Sequence, residues 1–272
     1  MTGWTLDPFR MRQRSGWTPA RVTVAQLIAL AAPVAVSLVE RGTPQIAVLL
    51  TAVVTCLIWE LAFGLIRGRP LSLHTATVAL IFAVLVPASI PVWQIVVAVS
   101  LGVVFGELVF GGRGYGIVSG AAAAAGFLVF FFTGTELASS SEIMALATLP
   151  GLVLLLAGGL VSWRILVSVT VVLIIAGLIQ DGASSLPSVA ITAVFGMVFL
   201  ISDPVAGATT NPGRVVFGLL AGVLIVLFDT AAGPVVAPAA VVFASLLASL
   251  FAPLIDHMAV ALIVRRRRAR HG

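Results

Sequence analysis

Apolar residues gather into ten runs along the chain, interrupted by charges, glycines and prolines: 22–39, 44–66, 73–88, 91–110, 115–133, 144–161, 164–179, 186–202, 214–229 and 235–262. A helix that crosses a bilayer needs roughly 20 apolar residues, so each run predicts a spanning helix. The third and fourth runs are parted only by Pro87-Ala-Ser-Ile-Pro91, which predicts a tight turn. The last run is too long for one straight span and holds Pro238 and Pro253, which predict a kink or a break. The expected fold class is an all-α polytopic membrane protein with about ten transmembrane helices.

Composition narrows the function classes. Of the 272 residues, 60% are hydrophobic and 9% charged, whereas a soluble domain carries about 25% charged residues. A cytosolic enzyme, a secreted domain and a disordered regulator are excluded. The net charge is +5, and every basic residue apart from histidine is an arginine. The basic stretches Arg10–Arg21 and Arg265–Arg270 suit anchoring on anionic lipid. No basic face interleaved with aromatics is present, so nucleic acid is not an expected partner. Cys56 is the single cysteine, which excludes a disulfide framework, a cysteine-ligated zinc site and an iron–sulfur cluster held by this chain alone. Residues 1–21 contain no apolar core of a cleavable signal.

The arginines set an expected orientation. With the N-terminus cytoplasmic, Arg10, Arg12, Arg14, Arg21, Arg67, Arg69, Arg113, Arg164, Arg214 and the five C-terminal arginines all fall inside, and only Arg41 falls outside. Glu40, Glu136, Glu142, Asp181 and Asp229 then lie in outer loops. Both termini are expected to be cytoplasmic. Ten spans divide into two sets of five, and an odd number per set inverts the second half relative to the first. The expected organisation is a basic amphipathic segment 1–21, a first five-helix half 22–133, a second half 134–262 and an Arg-rich tail 263–272.

Ionisable groups within a bilayer are costly and are functional candidates for that reason. Glu60, Glu107, Asp203 and Asp256 sit in or at the ends of spans, all toward the cytoplasmic ends on this topology. They form a candidate ion pathway for Na⁺ or H⁺; the bland alternative is pairing with Arg67, Arg113, Arg214 or Arg265. His74 and His257 lie near the same face without the spacing of a haem site, and are read as structural or coupled to these acids. The segment Ile201–Arg214 is small, polar and turn-rich between two apolar runs. Asp203, Gly207, Thr209, Thr210, Arg214 and Arg113 are candidate cofactor-binding residues, because hydroxyls, glycine amides and guanidinium groups cradle phosphate. Asp-Pro and Asn-Pro-Gly also make ordinary turns.

Several blocks, in order, resemble one family. Ser202-Asp-Pro-Val-Ala-Gly-Ala-Thr-Thr-Asn-Pro-Gly-Arg-Val-Val-Phe-Gly218 resembles a signature block shared by two homologous membrane subunits, one of the Na⁺-translocating NADH:quinone oxidoreductase and one of the Rnf ferredoxin:NAD⁺ oxidoreductase. Ala83–Trp93, Phe105–Gly114, Ser162-Trp-Arg164 and Phe251–Asp256 extend the likeness over roughly residues 60–270. The resemblance implies ten helices in two inverted halves, in a membrane subunit of a flavin-based electron-transfer complex of the bacterial inner membrane. It also implies cation-route acids at Glu107, Asp203 and Asp256, with other membrane subunits and flavinylated extracytoplasmic proteins as partners.

This sequence departs from the family pattern where FMN is usually linked to a threonine. The loop Gly134–Ile143 carries no such motif, and Ile117-Val-Ser-Gly120 replaces the family's Asn-Pro-Ala. Asp203–Thr209 mimics the flavin attachment pattern with Ala206 in a hydroxyl position, but on the wrong side of the membrane. FMN or riboflavin is therefore expected to be noncovalent. Two rival readings are a solute transporter or channel, and a redox-silent anchor for flavinylated partners.

Overall fold

The computed structural model describes residues 19–68, 74–112, 115–132, 134–180, 186–230 and 238–271. Ten α-helices occupy these residues: α1 Pro19–Arg41, α2 Thr43–Arg67, α3 His74–Leu85, α4 Val92–Val103, α5 Gly120–Phe131, α6 Glu142–Ala157, α7 Trp163–Gln180, α8 Leu186–Gly196, α9 Asn211–Thr230 and α10 Pro238–His271. Each coincides with one apolar run of the sequence. Two of them end in a wide π turn: α4 continues through Val104–Leu108 and α8 through Met197–Ile201. No strand occurs among the described residues.

Four helices are long and apolar enough to cross a membrane: Ala20–Arg41, Thr43–Arg67, Asn211–Asp229 and Pro238–Arg265. The other six are shorter apolar helices. At 1.5 Å per residue, the 12 residues of α3 and of α5 extend only about 18 Å, against a hydrocarbon core of about 30 Å. The run 115–133 was expected to be helical throughout, yet α5 begins only at Gly120, and residues 115–119 form a loop instead. The expected break in the last run is absent. Pro238 opens α10, where a proline costs no hydrogen bond, and the helix runs past Pro253 to His271. The basic tail 263–272 is thus largely a continuation of α10, and the N-terminal segment 1–21 lies almost wholly outside the described residues.

A helix that stops inside apolar surroundings must have its last carbonyls satisfied by other groups. At the end of α3 every one of them is. Gln45 Nε2 donates to the carbonyl of Ala83 at 2.6 Å. Arg41 donates to those of Val84 and Val86 at 2.8 and 3.1 Å. The amide of Ala138 reaches that of Leu85 at 2.8 Å. Arg41, the one arginine that the charge pattern left outside, is thus the capping group of a short helix.

Small residues bring the backbones together. A Cβ at Gly102 would lie 2.4 Å from the backbone of Ala124, and one at Gly106 would lie 2.9 Å from Gly120 Cα. This Gly-x-x-x-Gly spacing on α4 seats it against the alanine run Ala121–Ala125 of α5, all of which is buried. On α9, Gly218 and Gly222 do the same against Ile165, Ser168 and Val172 of α7. The packing also has a regular plan. Contacts of α1 with α3, α2 with α3, α2 with α4, α3 with α5 and α4 with α5 recur as α6 with α8, α7 with α8, α7 with α9, α8 with α10 and α9 with α10. The two sets are joined by α1 against α6 and α5 against α10.

Candidate functional site

His74 opens α3, and its neighbours gather the buried acids. His74 Nε2 lies 3.5 Å from Glu107 Oε1, with both side chains buried. The adjacent Thr75 donates its hydroxyl to Glu60 Oε2. Thr77 Oγ1 donates to the His74 carbonyl at 2.7 Å and sits 3.0 Å from His74 Nδ1. Glu60 comes from α2 and Glu107 from the π turn that ends α4. Such turns recur at functional sites because the extra residue re-aims a side chain. Glu107 also faces the start of α5: a Cβ at Gly120 would lie 2.9 Å from its Oε1. The first turns of α3 and α5 therefore both meet the acids, where their positive dipole ends favour anionic charge.

A cavity of about 10 Å³ opens between these groups, lined by His74, Glu107, Gly116, Val118, Asp203, Val205 and Ala206. That volume is on the order of one water molecule. Asp203 follows the second π turn and reaches the cavity from the other half of the chain, with its Oδ1 accepting the Val205 amide at 2.7 Å. Of the four acids expected on an ion pathway, Asp203 and Glu107 thus share one cavity, and Glu60 is tied to it through Thr75.

Asp256 belongs to a different cluster. Its Oδ2 accepts the amide and hydroxyl of Thr209 at 2.7 and 2.8 Å, and its Oδ1 accepts those of Thr210 at 3.0 and 2.6 Å. The Gly213 amide donates back to Thr210 Oγ1 at 3.1 Å. A carboxylate on α10 therefore closes the loop that leads into α9. Gly213 leaves room for it, since a Cβ there would lie 2.5 Å from Asp256 Oδ1.

This arrangement bears on the phosphate cradle expected from the sequence. Gly207 donates its amide to the Asp203 carbonyl, and Arg214 Nε donates to the Ala208 carbonyl at 3.3 Å. Both amides and both hydroxyls of Thr209 and Thr210 point at a carboxylate. A phosphate at these two threonines would meet that negative charge, so they do not fit a flavin phosphate. The segment is built as turns, as Asp-Pro and Asn-Pro-Gly chemistry dictates. Arg113 lies outside the described residues.

Of these partners of the acids, Thr75 is the one that the sequence does not single out: the sequence marks His74 as structural or coupled to these acids, and Thr209 and Thr210 as candidate cofactor-binding residues. Thr75 and His74 meet Glu60 and Glu107, and Thr209 and Thr210 meet Asp256. The polar start His74-Thr-Ala-Thr77 of an otherwise apolar helix was the available signal. Asp229 was expected in an outer loop but lies within α9 and is buried.

Among known proteins, the model of the NQR2, RnfD, RnfE family matches residues 10–137 and 130–264. One relative, a Na⁺-translocating NADH-quinone reductase subunit from Pseudomonas paraeruginosa, is 29% identical over 290 residues, covering 86% of this chain and 72% of the relative. The protein of the same name from Ectopseudomonas mendocina is 31% identical, covering 78% and 66%. That from Yersinia pestis is 27% identical, covering 78% and 65%.

Proposed function

Because the chain belongs to the NQR2, RnfD, RnfE family, we propose that it is a membrane subunit of a flavin-based electron-transfer complex of the Nqr or Rnf type, coupled to movement of Na⁺ or H⁺. The observation that carries this reading is the family match over both halves of the chain, together with relatives named as subunits of a Na⁺-translocating NADH-quinone reductase. The cavity walled by the buried His74 and Glu107 and the part-buried Asp203 supports the ion-coupling part. In this reading Glu60, Glu107 and Asp203 belong to the ion route, and Asp256 holds the Thr209–Thr210 loop.

The recurrence of helix contacts between α1–α5 and α6–α10 supports two related halves of five helices; with an odd number of passes in each, the halves are inverted in a bacterial inner membrane, and the arginine distribution supports both termini on the cytoplasmic face. Partners in the assembly are other membrane subunits and flavinylated extracytoplasmic proteins. FMN or riboflavin is carried in the complex noncovalently with respect to this chain, away from Thr209 and Thr210.

The test is the absorbance spectrum of the detergent-purified complex, followed by acid precipitation. Flavin released to the supernatant, with redox-driven ion movement lost when the chain is deleted and restored by complementation, is the expected result. Unchanged electron transfer in membranes lacking the chain would overturn the proposal. Flavin fluorescence in the pellet at this chain's mass would overturn noncovalent binding.

A further inference from the structure

We propose that the groove between the first turns of α7 and α9 binds one anionic phospholipid, with its phosphate on Arg164 and Asn211 and an acyl chain along Val167 and Val215. The groove shares no lining residue with the cavity at His74. It asks only that the chain sit in a bilayer, and so goes beyond the electron-transfer reading. Trp163 and Arg164 of the Ser162-Trp-Arg164 block, which have no part in that cavity, form one of its walls.

The groove has a volume of about 490 Å³ and lies between Trp163, Arg164 and Val167 of α7 and Asn211, Pro212 and Val215 of α9. Sites for small ligands span roughly 300–1,000 Å³. Ser168 closes it where the helices meet: a Cβ at Gly218 would lie 2.8 Å from Ser168 Cβ and 2.7 Å from the Ile165 carbonyl oxygen. Away from the polar mouth the walls are apolar and exposed, Val167 at 50% and Val215 at 39%. One helical turn further on, Val171 and Leu219 continue the two exposed rows. An apolar channel that runs along two membrane helices suits a hydrocarbon chain rather than a soluble ligand.

The mouth of the groove is positively charged. The Arg164 guanidinium lies 5.6 Å from the centroid of the Trp163 ring, a cation–π contact. Among the described residues no carboxylate pairs with it. Arg164 also stands in the first turn of α7, where the helix dipole opposes a cation. α9 brings a second positive helix end to the same mouth, with Asn211 as its first residue. Asp256 does not supply the missing anion. It meets Gly213, and at 3.6 residues per turn Gly213 lies on the side of α9 opposite Val215, Gly218 and Gly222. A guanidinium held against an indole keeps in-plane N–H donors that match two phosphate oxygens. Trp163, exposed at the end of α7, suits headgroup level. Basic pockets between membrane helices take the headgroups of acidic lipids in this way. A zwitterionic lipid brings its own cation to the phosphate and gains less from Arg164.

The experiment places the full-length chain, alone and in its purified complex, in phosphatidylcholine nanodiscs holding a trace of lipid with a photoreactive diazirine on one acyl chain. The probe is phosphatidylglycerol in one arm and phosphatidylcholine in the other, and cross-linked peptides are mapped by mass spectrometry. Labelling around Val167 and Val215 should be about fivefold greater with phosphatidylglycerol. Arg164→Gln should remove that preference. Arg67→Gln, which also deletes an exposed arginine, should leave it. Val215→Trp fills the groove from a part-exposed position and should cut labelling there by both lipids. Excess inorganic phosphate should not displace the lipid. Equal labelling by the two lipids, a preference that survives Arg164→Gln or is lost with Arg67→Gln, or unchanged labelling of Val215→Trp would overturn the proposal. Displacement by inorganic phosphate would make this a site for the free ion. Labelling of the isolated chain but not of the complex would give the groove to a neighbouring subunit. Either result also overturns the proposal, and none of these readouts involves electron transfer.

Discussion

Replacing Asp256 with asparagine separates two roles that a buried-edge acid can have in a pump. Its carboxylate accepts four hydrogen bonds from Thr209 and Thr210. Hydrogen bonds to a charged acceptor contribute about 1.5–3 kcal/mol each, but Thr209 is exposed and Asp256 is only half-buried, so solvent reduces this substantially. Asparagine keeps one acceptor oxygen and turns an NH₂ toward one of the two threonines. Two bonds are lost, and we expect Asp256→Asn to cost about 2 kcal/mol. With roughly 2–4 °C per kcal/mol for a chain of this size, Tm should fall by about 4–8 °C. The assay is thermal unfolding of purified protein followed by a thiol-reactive dye at Cys56, which is buried in the folded state. A double-mutant cycle with Thr210→Val should give a coupling of about 1 kcal/mol, because both substitutions remove the same contact. Below the lowered Tm, the cation concentration for half-maximal turnover should match wild type. An unchanged Tm, strict additivity, or a shifted cation requirement would refute the assignment of Asp256 as the clamp of this loop.

Three further outcomes follow from the packing. Gly102→Ala forces a Cβ to 2.4 Å from the Ala124 backbone, and should cost about 1–3 kcal/mol or block accumulation of folded protein, read by monodispersity in detergent. Gly120→Ala places a methyl group 2.9 Å from Glu107 Oε1; it should leave insertion intact and displace the carboxylate, read as a shift of the Glu107 carboxyl NMR signal. Arg41→Met removes the donor to the carbonyl of Val84 and one of two donors to that of Val86, which Gln45 Nε2 also reaches at 3.3 Å, and should destabilise the protein by about 1–3 kcal/mol, the cost of one buried group left unpaired. Equal thermal stability of Arg41→Met and wild type would show that the Val84 carbonyl finds another partner.

How much of this was legible depends on the range of the interaction. Helix positions were local: each apolar run became a helix, because hydrophobic length and the turn chemistry of Pro87–Pro91 are properties of neighbouring residues. The shortness of α3 and the late start of α5 were not local. They depend on Arg41 and Gln45 reaching the α3 end from 38 or more positions away, and on Gly106 meeting Gly120. The acids were visible as misfits in apolar runs, and His74, Thr209 and Thr210 as polar candidates, but which threonine or histidine meets which acid was not. Thr209 and Asp256 are 47 positions apart, and nothing in either segment announces the other. The π turns that carry Glu107 and precede Asp203 had no sequence signal, since one extra residue per turn leaves the hydrophobic pattern almost unchanged.

The uninterrupted course of α10 from Pro238 to His271 connects distant parts of the molecule. A single rod joins the arginine-bearing extremity to the carboxylate that grips Thr209 and Thr210, and from there only six positions of chain lead back to Asp203. The arginine-bearing extremity and the chamber wall are thus linked by one helix, one hydrogen-bonded clamp and one short loop.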